Sequence, residues 1–216
     1  MVSRIQKTGF TLLELLVVTG IIALLIAILI PSLGRARVLA KMAQARADLY
    51  HITLALTIYR QDHSSALPPT RFSCASRTEY ELPVELAEGG YLPGETKSFG
   101  LVVKMRDVFN PDTTYKYRAA GPAIVNESTL IPDGSALWVP KDFPTCEATS
   151  GKYYSDAKAS PARYAIWSAG PPVASTRSDG VPGHAPIPSS FWCRGAGDGG
   201  VITIFEDQKG CTYSKP

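Results

Sequence analysis

The sequence predicts an α+β protein in which a long N-terminal helix, membrane-spanning in its first half, packs on a small antiparallel β-sheet with long loops. Two observations lead to this prediction. Segment 10–33 is almost entirely apolar, with Glu14 as its one ionisable side chain. After residue 65, proline, glycine, serine and threonine are frequent and the strand-like runs are short, which is typical of long loops joining brief strands.

The overall composition narrows the function little, because 45% hydrophobic and 19% charged residues are ordinary for a globular protein. The net charge of +3 results from 22 basic and 19 acidic residues, which are spread along the chain without a basic block. A surface that binds nucleic acid normally shows such a block. The sequence therefore does not indicate nucleic acid as a partner.

Segment 10–33 is long enough to cross a lipid bilayer. At about 1.5 Å per residue, its roughly 24 residues would extend roughly 36 Å as a helix, and the hydrocarbon layer of a bilayer is about 30 Å thick. The sequence therefore predicts a single membrane-spanning helix, with membrane lipid as a partner.

The residues around this segment do not form an ordinary secretory signal. Such a signal has a small-residue cleavage site after its apolar run, whereas Pro31 and a short stretch without that pattern stand here. Residues 1–9 form a short polar leader that carries Arg4 and Lys7 and runs directly into Gly-Phe-Thr-Leu-Leu-Glu at positions 9–14. The informative feature therefore lies before the apolar run.

This leader resembles the class III signal of type IV pilins and of the pseudopilins of type II secretion systems. The resemblance implies that a prepilin peptidase cuts between Gly9 and Phe10, that Phe10 becomes an N-methylated amino terminus, and that the hydrophobic helix stays with the mature chain. It further implies two other partners, namely copies of the same or related subunits and an assembly platform in the inner membrane.

The location implied by the resemblance is the bacterial inner membrane, with a cytoplasmic N-terminus, a periplasmic or extracellular C-terminal domain, and a filament after assembly. The flanking charges alone favour the opposite orientation, because the stretch 35–46 carries more basic residues than the leader. We give the leader precedence, since long domains cross membranes largely regardless of their charge.

Glu14 is unusual because a charge inside an apolar helix is costly, by roughly 2.5 to 3.5 kcal/mol at the bilayer centre on insertion scales. Such a carboxylate requires a partner. In the family, the partner is the positive amino terminus of a neighbouring subunit, so that the pair sets the register of the filament. The alternative is an acid that reaches the lipid interface and has no role in assembly.

Pro31 predicts a bend in the helix, because proline lacks an amide donor and clashes with the carbonyl four residues earlier. Gly34 follows closely. A simple helix end at Ile30 is the alternative, but apolar residues continue at helical spacing beyond it. We expect these residues to form the face that packs on the sheet: Ala36, Ala40, Ala43, Ala47, Ile52, Ala55, Leu56 and Tyr59.

The chain is accordingly divided into a leader (1–9), a transmembrane and assembly segment (10–33), an amphipathic continuation of the helix (34–65) and a loop-rich β domain (66–216). The best strand candidates are 115–119, 163–168 and 201–206, because their side chains alternate or are β-branched and aromatic. A fourth is 101–105. They predict an antiparallel sheet of three or four strands.

Four cysteines follow the helix at wide spacings and include no C-x-x-C pair, which disfavours a zinc site. They fit an oxidising compartment, where two disulfides with three possible connectivities would each stabilise the domain by about 2 to 4 kcal/mol. The alternative is four separate buried thiols. The residues are Cys74, Cys146, Cys193 and Cys211.

Calcium is a possible ligand, although no cofactor is required. Related major pseudopilins hold calcium in a loop between late strands, usually with an aspartate soon after a Ser-x-Gly segment, but Pro171 and Pro172 stand there in this chain. Asp179 and Asp198 could supply oxygen ligands instead. Aspartate before glycine is also ordinary turn chemistry, so the alternative is a pair of turns.

Catalysis is not indicated. The histidines, His51, His63 and His184, occur in no metal-binding pattern, and neither a G-x-S-x-G elbow nor a phosphate-binding loop is present. The sequence favours a structural filament subunit. The alternatives are a membrane-anchored extracytoplasmic protein that binds a ligand and uses the helix only as a tether, and an anchored enzyme. Glu14 discriminates, since a tether has no use for a charge within its span.

Overall fold

The computed structural model describes residues 11–72, 80–97, 100–126, 128–140, 143, 151–171 and 199–214. The chain divides into two compact units, Met1–Leu39 and Ala40–Pro216. The described elements are, in chain order, α1 (Leu12–Asp62), β1 (Thr70–Phe72), α2 (Glu85–Glu88), β2 (Gly94–Lys97), β3 (Gly100–Val103), β4 (Lys116–Ala119), β5 (Gly121–Val125), β6 (Thr129–Ser135), β7 (Leu137–Val139), β8 (Lys152–Tyr154), β9 (Ala162–Ser168), β10 (Ile202–Asp207) and β11 (Thr212–Ser214).

Helix α1 is 51 residues long and contains Pro31. The prediction that the helix continues past the proline is confirmed, and an end at Ile30 is excluded. Only the backbone carbonyl of Ala27 loses its donor at Pro31, because proline interrupts one hydrogen bond of the helical ladder. Leu29 and Leu33 on the two sides favour the helix, whereas Gly34 does not.

A four-stranded antiparallel sheet, in the order β11-β10-β9-β4, forms the centre of the second unit. In its register Tyr117 and Ile204 both lie opposite Ile166. The three best strand candidates are therefore confirmed within one residue at each end, and β3 falls on the fourth. The α+β class and the antiparallel sheet are as the sequence predicts.

A second sheet, in the order β1-β5-β6, was not predicted. Its first pair, β1 with β5, is parallel, and β5 with β6 is antiparallel. Strand β1 has only three residues, and β6 contains Pro-Asp-Gly, which as a sequence indicates a turn. Two hairpin-like pairs, β2 with β3 and β7 with β8, complete the described strands.

Strand β10 is buried along its whole length, because both of its faces are covered. Phe205 belongs to a cluster with Trp167 of β9 and with Leu137 and Val139 of β7. The alternate side chains of β9 and β10 point to the opposite face, where Glu206 bonds to Arg60 of α1. The sheet therefore lies between α1 on one side and β7 on the other.

The prediction of the buried helix face was wrong in its first half. Ala36, Ala40, Ala43 and Ala47 are exposed, and the buried residues of α1 are Met42, Ala45, Leu49, Ile52, Thr53, Ala55, Leu56 and Tyr59. The free energy of burial grows with apolar area, and Met42 and Leu49 offer more area than alanines at the same spacing. Size alone does not decide which face turns inward, because Tyr50, Leu54 and Ile58 of the same helix stay exposed.

The chain reverses after α1 at two serines with left-handed backbone, Ser64 (φ 53°) and Ser65 (φ 69°). The amide of Ser65 donates to the Arg60 carbonyl at 2.8 Å, which is the long bond of a Schellman C-cap. Ser64 then occupies the position where glycine is usual, because a side chain there costs roughly 1 to 2 kcal/mol.

Replacing Ser64 by glycine should stabilise the protein by up to about 1 kcal/mol, since the strain of the left-handed side chain is removed. Ser64→Val should destabilise it, because a β-branched residue tolerates this conformation least. Ser155→Gly, at an exposed position that is not among the described residues with positive φ, is the matched control and should give no gain. Thermal unfolding of the full chain in detergent measures all three; a lower melting temperature for Ser64→Gly would contradict the C-cap assignment.

Candidate assembly helix and its surroundings

The first turn of α1 is closed by a reciprocal pair of contacts between Thr11 and Glu14. The backbone amide and hydroxyl of Thr11 both donate to Glu14 Oε2 at 2.8 Å, and the Glu14 amide donates to Thr11 Oγ1 at 3.2 Å. This is a capping box, which satisfies amide groups that the helix itself leaves unpaired. Sequence reasoning missed it, although the T-x-x-E spacing is its known signature.

The side chains of segment 12–33 are exposed throughout the described structure. Among the described residues, α1 is the one helix long and apolar enough to cross a membrane, and none of its most apolar stretch is buried within the chain. A helix at the centre of a water-soluble domain would be mostly covered by its neighbours. An apolar surface of this extent requires lipid or other protein around it.

Two hydroxyl side chains return hydrogen bonds to the backbone of the apolar helix. Thr19 Oγ1 donates to the Leu16 carbonyl at 3.0 Å, and Ser32 Oγ donates to the Leu29 carbonyl at 2.9 Å. Their polar groups are thereby satisfied without water, as a membrane interior requires. Ser32 does this beside Pro31, where the ladder of amide bonds is interrupted. A role of Pro31 in assembly stays a prediction.

Most of the other site residues named from the sequence lie outside the described residues: Gly9, Phe10, Cys74, Cys146, Cys193, Asp179 and Asp198. Cys211 is described and exposed. Its amide donates to Asp207 Oδ1 at 2.8 Å in the turn before β11. The disulfides therefore stay a prediction. Within the described residues, no group of three or more His, Cys, Asp or Glu side chains is arranged to hold a metal ion.

A buried carboxylate fastens the end of α1 to the sheet. Glu206 of β10 is 2% exposed and forms ion pairs with Arg60 of α1 and with Arg163 of β9, the latter at 3.2 Å. The hydroxyl of Tyr164 donates to its other oxygen at 2.8 Å. A buried charge is tolerated only when it is paired and hydrogen-bonded. No local pattern signals this cluster, because Arg60 and Glu206 are 146 residues apart.

A second polar contact fixes the helix nearer its middle. Tyr115 donates its hydroxyl to Asp48 Oδ2 at 2.7 Å, and burial, followed by this bond to a carboxylate, raises the pKa of Tyr115. Burial also raises the pKa of Tyr117, whose hydroxyl donates to the Pro68 carbonyl at 2.8 Å. Neutral phenols thus bridge the helix, its exit loop and the sheet.

Removal of the buried carboxylate by Glu206→Gln should destabilise the protein by about 3 to 5 kcal/mol, because Arg60 and Arg163 keep their charges without a counterion. Glu95→Gln is the matched control. Its partner Arg106 forms an ion pair of the same type at a partly exposed site, where water screens the charges, so its loss should cost far less than the loss of Glu206. Denaturant unfolding compares the two, and equal costs would show that Glu206 is not the stabilising contact described above.

Stability should fall as the pH rises above about 10, the ordinary pKa of tyrosine. The folded state holds the Tyr117 proton to higher pH than the unfolded chain does, so its contribution is complete below pH 10 and declines above it. Tyr117→Phe should lower the stability at neutral pH and flatten the decline by up to about 1.4 kcal/mol per pH unit. Tyr153→Phe, at an exposed site, is the control and should keep the wild-type dependence of stability on pH. A Tyr117→Phe variant with the wild-type dependence would show that burial of this phenol does not cause the decline.

Two comparisons with known proteins agree with this geometry. Residues 4–30 match the model of the prokaryotic N-terminal methylation motif. Over 68 residues the chain is 37% identical to the type II secretion system core protein G of Pseudomonas aeruginosa. The matched segment covers 32% of this chain and 47% of that protein. The match thus extends over about half the length of the relative. No solved structure matches the chain.

A long helix with an uncovered apolar half, a capping acid near its start and a methylation motif across the same residues define a type IV pilin-like protein. Within that class, the similarity over 68 residues is to a pseudopilin of the type II secretion system. The chain is therefore pilin-like or pseudopilin-like, with the motif at 4–30 and the fold of a long helix followed by small sheets.

Proposed function

We propose that this chain is a structural subunit of a type IV pilus-like or type II secretion pseudopilus filament. In this proposal a prepilin peptidase cuts between Gly9 and Phe10, Phe10 is N-methylated, and the subunits assemble through the first half of α1. The observation that supports it most is the uncovered apolar surface of segment 12–33, which carries one acid, Glu14, within the methylation motif.

Lipid and neighbouring helices can each shield this apolar surface from water. Hydrocarbon chains solvate Leu, Ile and Val side chains about as well as another apolar helix does. The same residues therefore serve before assembly, when the subunit is anchored in the inner membrane, and after assembly, when they lie in the core of the filament. The subunit does not need to refold between the two states.

Glu14 distinguishes a filament subunit from a tethered protein. In the isolated chain, Thr11 supplies the two hydrogen bonds to its carboxylate, and both donors are uncharged. A neighbouring amino terminus would add a full positive charge, and in a medium of low dielectric the attraction between opposite charges is much stronger than in water. We infer that this pair forms on assembly and fixes the axial register, because a mismatched register leaves the acid unpaired.

The proposed partners follow from this pathway: the prepilin peptidase, other copies of the chain and related subunits, an assembly platform in the inner membrane, and membrane lipid. The N-terminus lies in the cytoplasm and the β domain in the periplasm or outside the cell. The role is structural and requires no cofactor. Calcium binding by Asp179 and Asp198 stays a separate proposal, since both residues lie outside the described part of the chain.

Glu14→Ala should reduce the amount of filament at least tenfold, while insertion into the membrane persists, because the apolar span becomes only more hydrophobic. Electron microscopy and recovery of sheared filaments measure assembly. Thr11→Ala is the matched control, since it removes the capping hydroxyl and costs about 1 kcal/mol of helix stability but leaves the carboxylate in place. It should still assemble.

Mass spectrometry of the same preparations separates processing from assembly. Each variant should yield a mature chain that begins with methylated Phe10. Abundant filaments from Glu14→Ala would contradict the role of the acid in register. A wild-type chain that keeps residues 1–9 in its native membrane would contradict the whole pathway.

A further inference from the structure

The outer part of α1 carries a second apolar stripe, on the face opposite to the one that packs on the sheet. Its large members are exposed by 41% to 58% of their surface. The stripe consists of Ala43, Ala47, Tyr50, Leu54 and Ile58, all of which are exposed. Their spacing of three or four residues places them on one side of the helix.

Helix α1 is thus apolar on two sides between residues 42 and 59, although only one side is covered. Met42, Leu49 and Leu56 lie on the covered side. A helix that is hydrophobic all round is normally buried all round, and an uncovered apolar stripe indicates a protein or lipid partner. The stripe lies beyond segment 10–33, which by itself is long enough to span the bilayer. The partner that covers the stripe is therefore a protein surface and not lipid.

Another part of the same unit offers a complementary surface. Strand β6 lies at the edge of the sheet β1-β5-β6, and its side chains Leu130 and Ile131 are 62% and 41% exposed. The next residue, Pro132, has no amide to donate, which hinders the addition of another strand along this edge. Leu130 and Ile131 are consecutive and lie in regular register with β5, so they point to opposite faces of the sheet. The edge of β6 therefore offers a partner one apolar side chain on each face rather than backbone hydrogen bonds.

Charges of opposite sign accompany the two surfaces. Arg46 is three residues after Ala43 and four before Tyr50, at the border of the stripe, and Asp133 follows Pro132 on β6 and is exposed. Neither side chain takes part in an ion pair within the described residues. Complementary charges at the rim of an apolar contact favour one orientation of the partners over others.

We propose that the α1 stripe of one copy binds the edge of strand β6, with Leu130 and Ile131, of the next copy, with Asp133 facing Arg46. The contact joins two different surfaces of the same chain, and such a head-to-tail contact continues from copy to copy into an open assembly unless rotation closes it. The inference rests on the proposed filament function and adds a second contact to it, made by the domains outside the membrane.

Site-specific cross-linking tests this contact in the full chain. With p-benzoylphenylalanine in place of Leu54, irradiation of membranes that carry filaments should produce covalent dimers and larger ladders. Trypsin should then release residues 47–60 joined to residues 119–141, the fragment that contains β6. The same probe in place of Leu101, which is 36% exposed on β3, is the matched control and should give no product joined to residues 119–141. Attachment of the Leu54 probe to lipid, to another protein or to a different segment of the chain would overturn the proposal.

A charge exchange provides the second test. Arg46→Glu and Asp133→Lys should each lower the filament yield several-fold, and the double variant should regain most of the wild-type yield, because the pair is restored with reversed polarity. Circular dichroism checks that each variant is folded. Normal yields from both single variants, or a double variant no better than the singles, would overturn the contact while wild-type filaments with methylated Phe10 uphold the proposed function. Absence of filaments from the wild type would overturn both.

Discussion

The apolar side chains of segment 12–33 find no cover among the described residues of their own chain, and this constraint governs the rest of the molecule. Exposure of so much apolar area to water is unfavourable, so these side chains must be covered by a lipid bilayer or by other protein chains. Polar groups within the segment are arranged accordingly. Thr19 and Ser32 bond to the backbone of their own helix, and Glu14 is held at the first turn.

In the second unit, directional polar contacts hold the outer part of α1 on the sheet. Apolar packing alone would leave α1 able to slide or rotate on the sheet, because hydrophobic contacts have little directionality. The bonds from Asp48 to Tyr115 and from Arg60 to Glu206 are directional, and they lie about three turns apart on α1. Together they fix the position and the rotation of the helix on the sheet.

Local patterns in the sequence predicted those elements whose cause is local. The uninterrupted apolar run identified the membrane segment, and alternation in 163–168 and 201–206 identified the central strands. The buried face of α1 was half wrong, since the exposed alanines repeat with the same period as the buried residues. Periodicity shows that a face exists, but α1 is apolar on two sides, and the contacts of Asp48 and Arg60 with distant residues hold one of these sides on the sheet.

Contacts between distant residues could not be predicted in this way. No short-range signal joins β1 to β5 or Arg60 to Glu206, and β6 was hidden by Pro-Asp-Gly, which more often marks a turn. The capping box is a different case, because its signature was present at Thr11 and Glu14. The capping bonds of Glu14 in the isolated chain do not conflict with the proposed pairing on assembly, because one carboxylate can serve in both.

The pairing of Arg60 with Glu206 has a consequence for the order of events during biogenesis. A chain emerging N-terminus first presents α1 long before β10, and contacts of high sequence separation form slowly because a large loop must close first. Until β10 arrives, the sheet lacks the strand that is covered on both faces, and the arginine lacks its acid. The end of the helix therefore lacks its ion pair with the sheet until nearly the entire remaining polypeptide has been delivered to the same compartment, whereas the bond of Asp48 to Tyr115 can form earlier.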